Sequence, residues 1–574
     1  MKTPNGIMAL CIMLYAIVVA VLCPILRKRE RYGILRALCI LPAAAALIHM
    51  AAYGDIAVET FRYLYIEALL PLICLLPGKS GKMMAVKSVA SALAVSCVCV
   101  YFLVDAIDQP MVHNFKRCSY TESFSRMLVT MEREYCLNSW KKIDYDALRS
   151  EYLARVEEAE KNGDEAAYAE IITEVIYRYH DCHVSVDLST ELDREVSSHM
   201  AGNDYGLSLV RLDDGSVVAV LVEPDDDALI HYADRGSDLE KLGIHNGTQI
   251  LTWDGRDIDE AIADVECIYP GEAFPVKSNE DVYRPMLLAG RGGDAVSVTF
   301  IDDDGNERSA VLKRIDDYDD RLQWAFAGLL NRKDRDALYR HNYTCMLDGS
   351  CGYLKVQRER FDKVQDYIAA VRKGYYPTLT DYYAGLIEDL RAQGMERLVI
   401  DLRNNGGGVD CCAGALASLF TDEKRHMVSF GYEDEDGYHN KDDLYIFPDG
   451  RYKDIPVVVL VNDSCVSAGD GLAKFLGECD NVTLMGITSS GGVHQNNGGY
   501  IYLTDDICVE YPVFLSLSAD AEPLIDTDDT RENRIPLDVT IPMTKERAMK
   551  MLSFVDNSDE ELSYAVAYLE GTEP

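Results

Sequence analysis

Along residues 119–180 apolar side chains recur every three or four positions. Ser123-Phe-Ser-Arg-Met-Leu-Val-Thr-Met-Glu-Arg-Glu-Tyr135 and Asp144-Tyr-Asp-Ala-Leu-Arg-Ser-Glu-Tyr-Leu-Ala-Arg-Val156 show this period, which predicts helices. A third helical stretch runs from Tyr168 to Tyr179, set off by the turn signal Asn162-Gly-Asp164. The period then drops to two: 184–187 alternates, and 204 to about 315 reads as short strands separated by turn residues. From Gly352-Tyr-Leu-Lys-Val356 onward strands and helices alternate. Strands are predicted at 352–356, 397–403, 455–462 and 482–486, with helices from about Asp362 and from about Thr380 to Gly394. The runs near 397 and 455 are continuously apolar and β-branched, as in strands buried on both faces, so an α/β core is expected. Mostly strand follows over 499–543, with an acidic loop at 519–533, and then helix and an acidic tail over 544–574.

The first 106 residues follow a different pattern. Four apolar stretches, roughly 7–26, 37–53, 61–77 and 84–106, each approach the ~20 residues that span a bilayer. Arg27, Lys28, Arg29, Arg31 and Arg36 follow the first, and Lys79, Lys82 and Lys87 precede the fourth, whereas Asp55 and Glu59 lie between the second and third. The positive-inside rule puts the basic loops in the cytoplasm and everything after residue 107 outside the cell membrane. Charge divides along the same line: 1–106 holds 10 Lys/Arg against 5 Asp/Glu, and the rest 46 against 90. Such an acidic surface disfavours nucleic acid and anionic lipid as partners and suits cationic peptides.

Chemistry is concentrated where two buried strands end. Arg397-Leu-Val-Ile-Asp-Leu-Arg-Asn-Asn-Gly-Gly-Gly408 breaks into glycines, and Ile455-Pro-Val-Val-Val-Leu-Val-Asn-Asp-Ser-Cys-Val-Ser-Ala-Gly-Asp470 breaks at Ser467. Open α/β sheets bind ligands at such strand ends. A helix predicted over Ala468 to Leu476 puts Ser467 at a helix N-terminus, where free amides such as that of Ala468 favour a developing anion. Gly406 and Gly407 can bring further N–H groups close because no Cβ blocks the approach. A serine hydroxyl needs a base, and histidine suits that near neutral pH. Ser467 as a helix N-cap is the plainer reading of the same residue. Of the 17 cysteines, six lie in the apolar stretches and 11 beyond them, an odd number that cannot all pair internally. Cys345 with Cys351, and Cys118 with Cys136, could form small loops. Neither pair has zinc-ligand spacing with matching histidines, so no metal and no cofactor are expected.

Tyr205-Gly-Leu-Ser208 ahead of a strand, with Gly236-Ser-Asp-Leu-Glu-Lys-Leu-Gly-Ile-His-Asn-Gly-Thr-Gln-Ile-Leu-Thr-Trp-Asp-Gly255, resembles a PDZ domain. The resemblance implies a peptide carboxylate bound by the loop amides of Tyr205, Gly206, Leu207 and Ser208, and a peptide strand added to the sheet edge. A PDZ-shaped packing module is the other reading. Over residues 120–545 the motif series is Asp181-Cys-His-Val-Ser-Val186, the PDZ segment, Ile400-Asp-Leu-Arg-Asn-Asn-Gly-Gly-Gly408, Ser464-Cys-Val-Ser-Ala-Gly-Asp470, Gly486-Ile-Thr-Ser-Ser-Gly-Gly492 and Glu532-Asn-Arg-Ile-Pro-Leu-Asp-Val539. It resembles the serine peptidase family that joins the carboxyl-terminal processing proteases to the tricorn core protease.

One design in that family draws its base from a lysine about 25 residues after the serine; here the comparable stretch is Gly491-Gly492-Val493. The tricorn-like design takes a histidine ahead of the PDZ domain and a glutamate near the end of the core. The resemblance therefore implies Ser467 as nucleophile, His183 as base and Glu532 as its glutamate, with Cys182 in place of the family's serine. His494, His180 and Glu522 remain rivals, and Asp401 and Arg403 read as structural.

The implied fold is an α/β peptidase core of ClpP/crotonase-like type. The expected divisions are an all-α four-helix transmembrane anchor (1–106), a helical part (107–200), a β-rich PDZ-like domain (201–316), the core (317–545) and an acidic C-terminal helix or tail (546–574). The expected protein is a multi-pass membrane serine endopeptidase at the cell surface, acting outside the cytoplasm on peptides or unfolded protein tails, with its oligomeric state open. One rival is a catalytically inactive peptide-binding protein, motivated by the missing lysine and the Cys182 substitution. A sensor or transporter gated by the extracytoplasmic region is the second rival, but the apolar stretches hold few interior charges beyond Arg62 and Glu67.

Overall fold

The computed structural model describes residues 111–221, 236–268, 277–315, 320–331, 342–347, 350–360, 375–496, 498–526, 533–552 and 558–572, with scattered positions between 18 and 44. The four apolar stretches fall almost wholly outside the described residues, as do Glu532 and the helix expected from Asp362. Among the described residues no helix is long and apolar enough to cross a membrane.

Two compact units are present. In the first, Met111–Asn114 pairs in parallel with Gly499–Tyr502, Met111 opposite Gly499. The second comprises residues 118–497 and 503–574.

At the centre of the second unit is a six-stranded sheet, in the order Val539–Thr540, Val482–Gly486, Val457–Leu460, Arg397–Asp401, Cys351–Val356 and Asn342–Met346. Only the last strand runs antiparallel. Leu354, Ile400, Val459 and Leu484 stand in register and join one core with helices Tyr375–Arg391, Asp410–Ser418 and Ala468–Gly477. Their neighbours Tyr353, Val399, Val458 and Met485 point the other way and pack with Ala565 of the C-terminal helix Glu560–Glu570. Apolar residues on both faces are what the continuous β-branched runs require, and parallel strands need such cover. The clefts that matter therefore open at the strands' C-terminal ends.

Helices Tyr120–Glu134, Tyr145–Asn162 and Glu165–Tyr177 match the 3.6-residue period, the last two each capped by an aspartate (Asp144, Asp164) accepting a backbone N–H. The stretch from 204 to 315 holds the antiparallel pair Leu207–Arg211 and Val217–Leu221, and a four-stranded sheet from Ile250 to Lys313. It also holds helices Ile258–Ala263 and Lys277–Leu288, where mostly strand was expected. Lys277–Leu288 contains Pro285, a residue that disguises a helix in sequence. A long hairpin, Arg425–Asp434 and Gly437–Ile446, pairs with Leu515–Leu517. The eleven cysteines from Cys118 onward are free thiols, Cys345 and Cys351 included.

Candidate active site

Ser467 follows the strand Val457–Leu460 and immediately precedes the helix Ala468–Gly477. Its backbone has φ +59° and ψ −132°, which costs a non-glycine residue on the order of 1–3 kcal/mol. The side chain caps nothing, so the plain N-cap reading does not hold. Instead Oγ donates a long hydrogen bond, 3.4 Å, to the Gln495 carbonyl. The turn is fixed from several sides: Ser467 N–H donates to Val493 O (2.7 Å) and Val466 N–H to Asn405 O (2.9 Å). The Gln495 side chain in turn holds both backbone groups of Ser516, which anchors the segment facing Ser467 to the hairpin sheet.

The glycine loop leaves the neighbouring strand Arg397–Asp401 at the same end of the sheet. Gly407 has φ +83°, and a Cβ built on it would collide with Ser467 Cβ, lie 2.9 Å from Oγ and 3.0 Å from Ala468 N. Glycine at 407 is thus required twice, by conformation and by contact. Asn405 organises the loop: its Nδ2 donates to Val356 O (3.0 Å) and Glu359 Oε1 (2.7 Å), while Oδ1 accepts Gly407 N–H (2.8 Å). Of the three expected anion-binding amides, Gly407's is therefore already engaged. Gly406 is exposed, and Ala468 opens the helix.

Behind the loop lies a buried acid–histidine cluster. His494 Nε2 meets Asp410 Oδ1 at 2.6 Å, and the ring packs on Gly471, where a Cβ would come within 2.6 Å of it. Burial lowers the affinity of His494 for a proton, but Asp410 outweighs it and the net shift is upward. Glu359, fully buried with no partner for Oε2 among the described residues, is pushed up to about 7 by burial. Asp470, one turn past Ser467, is likewise raised by burial, its Oδ1 without a partner among the described residues.

His183 sits just before the strand Ser185–Leu188, and is buried. Its Nδ1 lies 3.8 Å from both Asp181 Oδ1 and Cys182 Sγ, and its backbone N–H donates to Asp181 Oδ1 (2.9 Å). Asp181 Oδ2 accepts from Tyr135 OH (2.9 Å). Burial acts to raise the Asp181 carboxyl, but its bond to His183 and the charges of His183 and Lys141 hold it below the usual range. Glu510, opposite Ser185 on the partner strand, is close enough to feel the His183 charge, while its own pKa is raised, chiefly by burial.

No hydrogen bond joins His183 to Ser467 Oγ. The two segments are linked through Lys141, whose Nζ donates to His180 O and to Asp526 O, each at 2.7 Å. Asp526 N–H in turn donates to Gly492 O, next to the Val493 that holds Ser467. His180 itself faces Glu280 at 3.8 Å.

Within the stretch Gly491-Gly492-Val493, Gly491 is sealed in: a Cβ would lie 2.6 Å from Val466 Cγ1 and 2.7 Å from Asp463 O. Gly492 has φ +66° and Val493 is fully buried. At the other loop, Gly206 (φ +89°) already donates its N–H to Asp204 Oδ1 (2.6 Å), and Tyr205 OH donates to Gly293 O (2.7 Å). Leu207 is fully buried, and Ser208 Oγ is buried without a partner among the described residues. Asp401 and Arg403 form a buried ion network with Lys355, Asp559 and Glu561, in keeping with structural roles.

Asn405, Glu359, Asp410, Lys141 and Glu510 did not stand out in the sequence. Asn405 lies inside a conspicuous motif, whereas Lys141 and Glu510 offer no local signal.

A strained serine at a strand-to-helix turn is faced by a positive-φ glycine from the adjacent parallel strand, at the end of an α/β core where such sheets place ligands. Residues 351–530, about a third of the chain, match the family model of Peptidase family S41. The carboxy-terminal processing protease CtpA of Bacillus subtilis is 31% identical over 137 residues, 24% of this chain and 28% of that protein. The chain thus spans little more than a quarter of the curated relative it matches. Among solved structures, mature CPAF complexed with lactacystin is similar at TM-score 0.48 and 13% identity, covering 79% of this chain and 97% of that one. The photosystem II D1 C-terminal processing protease is similar at TM-score 0.30 and 19% identity, covering 77% and 98%. For the tricorn protease the values are 0.34 and 14%, with 79% and 37% covered.

Proposed function

We propose that this chain is a serine endopeptidase, anchored in the cell membrane through residues 1–106 and acting outside the cytoplasm on peptides or unfolded protein tails. Ser467 attacks the peptide carbonyl, His183 takes the hydroxyl proton and returns it to the leaving amine, and the acyl-enzyme is hydrolysed by water. The amides of Gly406 and Ala468 bind the oxyanion, with Gly407 shaping their approach. Glu532 is assigned as the carboxylate for the base, and the loop Tyr205–Ser208 of a PDZ-like domain presents the peptide end. The observation that carries the reading is the meeting of Gly407 with Ser467, whose strained backbone aims a side chain that serves no capping role.

A second reading, a peptide-binding protein that does not cut, is favoured by the lack of a hydrogen bond between His183 and Ser467. Catalytic hydrogen bonds are often long in a free enzyme and tighten with substrate, so the peptidase reading is preferred. Digestion of casein by the full-length chain, beside Ser467→Ala and His183→Ala, decides between them. Cleavage by the parent and by neither variant is expected. Cleavage that survives His183→Ala moves the base to another residue, His494 first, and no cleavage by the parent favours the binder.

A further inference from the structure

Asp181, Cys182 and His183 are consecutive, yet their ligand atoms converge: the Asp181 carboxylate, Cys182 Sγ and His183 Nδ1 all lie within 4.8 Å of one another. Sγ to Nδ1 is 3.8 Å and Nδ1 to Asp181 Oδ1 is 3.8 Å. A tetrahedral zinc ion, with bonds of about 2.3 Å to sulfur and about 2.0–2.2 Å to nitrogen and oxygen, places its ligands about 3.3–3.6 Å apart. The two pairs that involve Nδ1 need close by only a few tenths of an ångström to hold one, and the Asp181 carboxylate and Cys182 Sγ start within 4.8 Å.

Their surroundings also suit a cation. Tyr135 OH and the backbone N–H of His183 orient the Asp181 carboxylate from outside, as hydrogen-bond donors commonly do for metal-binding carboxylates. Asp181 and His183 are buried and Cys182 is half-buried. Sulfur with imidazole selects thiophilic borderline cations over Mg2+ or Ca2+. The family's serine at position 182 would supply no such ligand, so this capacity follows from the cysteine.

We propose that Asp181, Cys182 and His183 form a binding site for a thiophilic divalent cation such as Zn2+, and that occupancy switches the peptidase off. The inhibitory half rests on His183 being the base. On binding, the Cys182 thiol loses its proton to solvent as the sulfur–metal bond forms, and Nδ1 donates its lone pair to the ion. A neutral imidazole ligated at Nδ1 carries its proton on Nε2. That nitrogen then has no lone pair with which to accept the Ser467 proton.

The test uses the full-length chain and Cys182→Ser, with CoCl2 as optical probe and ZnCl2 as inhibitor. The parent is expected to show a thiolate-to-cobalt charge-transfer band that Cys182→Ser lacks. Zn2+ is expected to stop casein cleavage by the parent, reversibly with EDTA. Cys182→Ser, normalised to its own zinc-free rate, should need at least about 100-fold more zinc, given that outer-shell partners alone contribute about 10–100-fold. No band in the parent, or an undiminished band in Cys182→Ser, overturns the site. A band that depends on Cys182 together with cleavage indifferent to zinc overturns the inhibitory role. A Cys182-dependent band in a protein that cleaves nothing upholds the site and overturns the peptidase reading instead.

Discussion

Gly407 and Ser467 come from adjacent parallel strands and meet so closely that the glycine has no room for a Cβ. Gly406, one residue earlier, has open space where a Cβ would go. Gly407→Ala should therefore lose about 2 kcal/mol or more of stability and on the order of 100-fold in kcat/KM, because both φ and contact are violated. Gly406→Ala should stay within about 0.5 kcal/mol of the parent in stability. Chemical denaturation of the two variants checks the contrast, and equal losses would count against it.

The strain at Ser467 has its own signature. Glycine adopts φ +59°, ψ −132° far more easily than alanine, so Ser467→Gly should be more stable than Ser467→Ala by about 1–3 kcal/mol, with both inactive. Matching melting temperatures for the two variants would show the turn to be unstrained.

Glu359 makes stability depend on pH. Its folded pKa of about 7 lies above the ordinary value of 4.5, so between those limits the folded chain holds a proton that the unfolded chain has released. The contribution is whole below about pH 4.5, falls as pH rises, and by about pH 7.5 has cost on the order of 3 kcal/mol. Glu359→Gln should flatten that part of the stability profile, read by urea denaturation at pH 4.5 and 7.5. An unchanged slope would mean that Glu359 titrates normally.

Lys141 bridges the histidine segment and the segment behind the serine. Lys141→Met removes both of its carbonyl bonds, and hydrogen bonds to a charged group contribute about 1.5–3 kcal/mol each. A loss of stability in that range, with a fall in kcat larger than any change in KM, is expected from steady-state kinetics and denaturation run together.

Arg403 ties the strand that feeds the glycine loop to the C-terminal helix, through Asp559 at 2.7 and 2.9 Å and Glu561 at 2.8 Å. Arg403→Met should destabilise by about 3–5 kcal/mol, since it strands buried carboxylates. Hydrogen exchange over Glu560–Glu570 should quicken first, whereas uniform quickening would place the effect elsewhere.

The sheet was legible because buried parallel strands write themselves as unbroken β-branched runs: Val457–Leu460 and Arg397–Asp401 lie where the sequence put them. Ser467 and Gly407 were legible because a strand end followed by glycine or a small residue has few other uses. Helix Lys277–Leu288 was hidden by Pro285, and the hairpin from Arg425 to Ile446 by the polar residues that face solvent on its outer strand. Lys141 and Glu510 were not legible, because their roles depend on contacts across hundreds of residues, which no local pattern records.

Gly491 bears on how this chain could change over time. Its Cα is walled in by Val466 and by the carbonyl of Asp463, parts of the same turn that holds Ser467. A lysine there would demand that the turn be rebuilt while the serine stayed in place. Any side chain at 491, whatever its chemistry, would press on that turn. Variation at this glycine should therefore be restricted by steric volume alone, at a position whose own atoms offer no chemistry.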